Sequence, residues 1–130
     1  MSALAVVGAA QAPSETTGSG VYSEEQAQTG SSLYRDVCAR CHGPALAGSD
    51  MVPALTGPKF ATDWNGATLA ELYDRIRMSM PADMPATLES DDALAAVAFI
   101  LRANGAPAGP RPLSKDPATL KNIRIVDLKR

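Results

Sequence analysis

Cys38-Ala39-Arg40-Cys41-His42 contains both cysteines and the single histidine of this 130-residue chain. Two thiols three residues apart stand on one side of a helical turn. With an imidazole directly after them, the run reads as a c-type haem attachment site. Cys38 and Cys41 would each form a thioether with one vinyl group, and His42 would reach the iron. A structural zinc site needs about four nitrogen or sulfur ligands, and this chain offers only the three in this run. A thioredoxin-like dithiol expects a βαβ context and has no use for His42. A disulfide across so short a loop would be strained. Covalent haem c, one per chain, is the expected cofactor; a redox dithiol and a weak metal site are the competing readings.

The rest of the composition fits one small domain. Hydrophobic residues make up 45% but aromatics only 5%, so the core is small and a buried apolar cofactor would enlarge it. The net charge of −2 suggests no nucleic-acid partner. The charge is uneven: residues 13–105 hold six Lys/Arg and twelve Asp/Glu, and residues 106–130 hold six Lys/Arg and two Asp. Residues 1–12 are small and uncharged and end in Ala10-Gln11-Ala12, which reads as a signal-peptide remnant. Residues 13–22 are expected to be a flexible Ser/Thr/Gly linker. Haem c is generally attached outside the cytoplasm, so the expected location is the bacterial periplasm. No other apolar run approaches ~18 residues, and no transmembrane segment is expected.

Three helices are predicted. The first covers Glu24 to Ala39, with Ser23 as N-cap and Gln26 completing a capping box. Gly30 inside it costs about 1 kcal/mol against Ala, which points to a close helix contact. Its apolar face is Leu33, Tyr34 and Val37. The second runs from Thr68 to Ser79, where Leu69, Leu72, Tyr73 and Ile76 recur at helical spacing, and Pro81 stops it. The third runs from Asp91 to Ala103 behind an N-cap at Ser90, with Leu94, Val97, Ala98 and Leu101 on one face. Its small residues Ala95, Ala96 and Ala98 would allow close approach to Gly30. Between Gly43 and Gly66, frequent glycine and proline predict one long irregular loop. After Gly105, prolines interrupt the chain, but Leu120, Ile123, Ile125, Val126 and Leu128 are apolar enough to pack back.

Gly30, Tyr34, Cys38, Cys41 and His42 stand at the spacing of class I cytochromes c, and residues 23–105 resemble that family. The closest likeness is to small monohaem cytochromes, and cytochrome subunits, that serve periplasmic dehydrogenases. The resemblance implies an all-α class I cytochrome c fold, with three main helices around one covalently attached haem. The domain would occupy residues 23–130, with a core over 23–105 and a wrapping tail over 106–130. The first and last helices would cross at Gly30, with Phe99 where the family places an aromatic. Met51-Val52-Pro53-Ala54-Leu55 is similar to the family's proximal Pro-x-Leu segment, which implies that the Pro53 carbonyl accepts a hydrogen bond from His42. Trp64 stands near an aromatic that can reach a haem propionate through its indole N–H; an ordinary core tryptophan is the other reading.

Methionine sulfur is the usual sixth ligand in this family. Of five methionines, Met78, Met80 and Met84 remain once the N-terminal Met1 and the proximal Met51 are set aside. At about 100° per residue, Met80 falls ~20° from the Leu69 stripe and Met78 ~180° from it. Met80-Pro81 with Pro85-Ala86-Thr87-Leu88 resembles the related cytochromes, though Met84-Pro85 is a second Met-Pro. Met80 is the expected ligand, with Met84 and Met78 still open. The implied function is one-electron transfer rather than catalysis, from a periplasmic dehydrogenase to the respiratory chain. Redox proteins would be the partners: the dehydrogenase, and a terminal oxidase or another cytochrome. The alternative is a haem enzyme or sensor with an open iron site, such as a peroxidase or a ligand-binding protein.

Overall fold

Ser23 opens the first long helix through its own side chain, which accepts the Gln26 backbone N–H at 3.2 Å. The computed structural model describes residues 14–129, and in it helix α1 spans Glu24–Leu33. Glu24 and Glu25 occupy its first turn, where the helix dipole favours negative charge. The helix then widens into a π-helical turn, Tyr34–Cys38, before α2, Ala39–His42. In that turn the Ala39 N–H reaches back five residues to the Tyr34 carbonyl. The uniform helix expected to Ala39 is thus re-registered at the first cysteine, and extends through His42. Such π turns concentrate at functional sites.

Helix α3, Pro58–Trp64, lies inside the stretch expected to be loop. Pro58, read from sequence as punctuation, is at the first helical position, where its fixed φ is already helical and its missing N–H is not needed. Helix α4, Leu69–Ser79, begins with a complete capping box between Thr68 and Glu71. Helix α5, Ser90–Ala103, starts one residue earlier than expected. Glu89 takes the extended cap position and Ser90 is helical; three acidic groups then crowd the positive end of the helix. A short α6, Pro117–Lys121, leads into strand β2, Ile123–Arg124.

Helix α5 is the centre of the core. Ala93 through Ala98, Ile100 and Leu101 are all buried, and each large apolar side chain hidden this way contributes ~1.5–3 kcal/mol. Its crossing with α1 is so close that a Cβ on Gly30 would lie 1.9 Å from the Ala95 carbonyl oxygen. Next to the crossing, the Tyr34 and Phe99 rings tilt together with centroids 5.2 Å apart. Arg102 reaches Glu24 across the same interface at 3.6 Å.

The expectation for residues 13–22 is corrected over the part described, 14–22. This stretch is clasped to the tail rather than free. Strand β1, Glu15–Thr16, pairs in parallel with β2. Thr17 is fully buried, and its hydroxyl accepts the Val126 N–H at 3.1 Å. Tyr22 is buried and donates to the Ala106 carbonyl at 2.6 Å. Partners 84 and 109 positions away supply this anchoring, so composition near residue 20 could not reveal it. The expected signal remnant, residues 1–12, lies outside the described residues.

Leu120, Ile123, Ile125 and Leu128 are buried as expected, while Val126 is half-buried. Gln26 does not complete the capping box. Its carboxamide turns to the tail instead, accepting the Leu113 N–H at 2.7 Å and donating to the Leu113 carbonyl at 3.4 Å. Gln26→Ala is therefore expected to lower stability by ~1–2 kcal/mol and speed amide exchange at Leu113. A thermal melt and hydrogen exchange check this; unchanged values of both would show that the apolar residues hold the tail unaided.

Candidate haem site

His42 ends α2 with its imidazole only 8% exposed. Its Nδ1 lies 2.8 Å from the Pro53 carbonyl oxygen. A carbonyl only accepts, so Nδ1 carries the proton and Nε2 keeps its lone pair free for a metal. The loop between these residues is a hydrogen-bonded frame. Gly48 N–H donates to the His42 carbonyl at 2.7 Å, Ser49 N–H to Val52 at 2.8 Å, and Leu55 N–H to Leu46 at 2.8 Å. Gly48 has φ +66°, and a Cβ there would lie 2.3 Å from the Val52 oxygen. Only glycine combines that backbone with that proximity.

Tyr34 braces the start of this loop. Its hydroxyl donates to the Gly43 carbonyl at 2.5 Å. Burial, with the nearby Cys38 adding to it and a backbone hydrogen bond at Leu46 opposing it, pushes the phenol up to about 12. It therefore stays a donor across the physiological range. Cys38 is half-buried and Cys41 exposed. Burial pushes the Cys38 thiol up; Arg40 pulls it down, and Cys41 raises it further.

Cys38, Cys41 and His42 line a cleft of about 1030 Å³, at the upper end of the ~300–1,000 Å³ usual for ligand sites. Pro53 and Trp64 line it too, as do Leu72, Ile76, Met80 and Leu88 from the 69–88 segment and Ile100 from α5. The expected site residues are therefore brought to one apolar cavity. Trp64 is half-buried with its ring 6.3 Å from Phe60 and the Arg75 guanidinium 5.9 Å over its face. Both Trp64 readings are compatible with that place.

The three methionines separate. Met80 is half-buried, packs against the core and lines the cleft. Met78 also borders it but is 65% exposed, and Met84 is 57% exposed and outside the lining. Sequence reasoning overlooked one contact here. Arg40, between the cysteines, reaches Asp83 at 2.9 Å and so ties the motif to the turn after Met80. Both side chains are half exposed, so the pair is worth at most ~1 kcal/mol. It also missed Asn104 beneath the loop; its only signal was a helix-ending asparagine before Gly105.

Among the described residues no three His, Cys, Asp or Glu side chains gather into a metal site. No helix among them is long and apolar enough to cross a membrane. A mostly helical chain, a glycine crossing of α1 and α5, and a cleft walled by the C-x-x-C-H run define a class I c-type cytochrome fold. Residues 25–100 match the family model described as cytochrome c oxidase, cbb3-type, subunit III, and the chain belongs to that family. It is also similar to a chain of the sulfane dehydrogenase SoxCD from Paracoccus pantotrophus, at 26% identity and a TM-score of 0.55. That match covers 92% of this chain and 67% of the other. No curated protein sequence matches.

Family membership makes this a haem c electron-transfer protein. The residues present fit the group: two thiols, a free imidazole nitrogen and a large apolar cleft meet in one place.

Proposed function

We propose that this protein is a periplasmic one-electron carrier with a single haem c, held by thioethers from Cys38 and Cys41 and by axial His42 and Met80. The bound haem supplies the Fe(III)/Fe(II) couple. The observation that carries the reading is the His42–Pro53 hydrogen bond at the wall of the apolar cleft. Pro53 fixes the imidazole tautomer and ring orientation and makes the free nitrogen more electron-rich. Met80 offers a soft thioether, which together with the apolar lining favours the lower charge and raises the potential. Trp64, which lines the same cleft, would hydrogen-bond a haem propionate through its indole N–H. With His42 and Met80 both supplied by the chain as iron ligands, electron transfer would need no ligand exchange.

Electrons pass from a dehydrogenase to the respiratory chain through a terminal oxidase or another cytochrome. The likeness to a chain of a sulfane dehydrogenase supports the donor class. The test is covalent attachment. Protein matured in a competent host should keep its haem colour on a denaturing gel, and the Cys38→Ala/Cys41→Ala double variant should lose it. A colourless wild-type band would end this reading.

A further inference from the structure

We propose that Asn104 is a positioning residue for His42, acting through the backbone of residues 53–55. The inference rests on the reading of His42 as the proximal ligand. Asn104 is 1% exposed at the end of α5. Its Nδ2 donates to the Leu55 carbonyl at 2.9 Å and to the Ile100 carbonyl at 2.8 Å. The reverse amide orientation would set Oδ1 against two carbonyl oxygens, so chemistry fixes which atom is which.

Oδ1 has no partner among the described residues. A buried acceptor left unpaired is a net cost that an apolar side chain would avoid. What the amide brings in return is its pair of donated bonds. One runs back along its own helix. The other crosses 49 positions of sequence to the proximal loop.

That segment is tied down by hydrogen bonds. Leu55 is held on both sides of its backbone: its N–H bonds to Leu46 at 2.8 Å, and its carbonyl accepts from Asn104. Only Ala54 separates it from Pro53, whose ring fixes φ. The Pro53 carbonyl is thus carried on a segment pinned at Leu55, and it holds the His42 Nδ1 proton at 2.8 Å. Asn104 is itself anchored, since its backbone carbonyl accepts the Lys129 N–H at 3.2 Å. The end of α5 therefore grips the loop that orients the ligand.

Removing the grip frees the Pro53 carbonyl to move away from Nδ1. A weaker bond leaves the imidazole less electron-donating, which favours Fe(II). The experiment uses the haem-loaded protein with Asn104→Ala and Asn104→Ser. A serine hydroxyl can back-bond to Ile100 and preserve the helix end but falls short of Leu55, so it serves if the alanine variant does not fold. Leu120→Ala, in the buried tail, is the control for general destabilisation.

Two readouts are taken: NMR exchange of the His42 Nδ1 proton with solvent, and the reduction potential. The folded Asn104 variant should exchange that proton ~10-fold faster, as expected for one lost buried hydrogen bond, and show a higher potential. Leu120→Ala should lower the melting temperature and move neither readout. Wild-type exchange and potential in the Asn104 variant overturn the proposal, as does the same change in Leu120→Ala. A wild-type protein without a paramagnetically shifted His42 ring proton overturns the ligand reading itself, and this proposal with it.

Discussion

Met80→Ala is expected to abolish the methionine–iron charge-transfer band and lower the reduction potential steeply, while Met78→Ala and Met84→Ala keep both. The argument is positional. α4 ends at Ser79, and the Met80 N–H still donates to the Ile76 carbonyl at 3.0 Å. The helix therefore sets where Met80 begins, although its own backbone is already extended at φ −112° and ψ 150°. The helical phase from Leu69 led to the same residue, but it applies only up to that last hydrogen bond.

Pro81 then prevents the helix from continuing, and the chain folds into a turn closed by the Met84 N–H on the Pro81 carbonyl at 2.9 Å. Ordering a free methionine side chain costs up to ~2 kcal/mol. A half-buried Met80 packed on the core has met part of that cost before any ligand arrives. Met84, 57% exposed, has not. Absorption spectra and potentiometry of the three single variants decide the matter. Loss of the band in Met84→Ala with its survival in Met80→Ala would assign the ligand to Met84. Survival in all three would assign the thioether to another methionine, whereas absence of the band from the wild type would point to an open site and revive the enzyme or sensor alternative.

Gly30→Val is expected to lower stability by about 3 kcal/mol, the upper end for overpacking a close contact. In a domain of this size that corresponds to a melting temperature lower by ~10–15 °C. The first added atom alone would lie 1.9 Å from the Ala95 oxygen, 2.6 Å from its carbon and 2.9 Å from the Phe99 Cβ. Two of these are backbone, which no rotamer change can clear. The helices must move apart, and Tyr34 against Phe99 moves with them. Thermal melts of the matured protein check this. A melting temperature equal to that of the wild type would show that α1 slides without penalty.

Both variants touch the same fold at different depths of legibility. Helices α4 and α5 were readable because their apolar spacing and their stops, Pro81 and Gly105, are local. Gly30 was readable as a contact because its helix cost demands a reason. α3 was not, since Pro58 and Gly57 look like turn residues until a helix is seen to start on them. The π turn at Tyr34–Cys38 was not readable either, since it lies in the choice of the Tyr34 carbonyl as partner of the Ala39 N–H, which residue types do not announce.

Residues 38–42 are contiguous, and the chemistry they point to follows from their order alone, because ligand spacing within one helical turn is set by backbone geometry. The same is true of the cap at Ser23, whose bond spans three residues. Tertiary structure alone decided the rest. It brought Pro53 to His42 across 11 positions, Asn104 to Leu55 across 49, and Thr17 to Val126 across 109. It also separated a half-buried Met80 from an exposed Met84 four residues away. Such pairings depend on how α5 packs against its neighbours, and packing is a property of the whole core rather than of any short stretch within it.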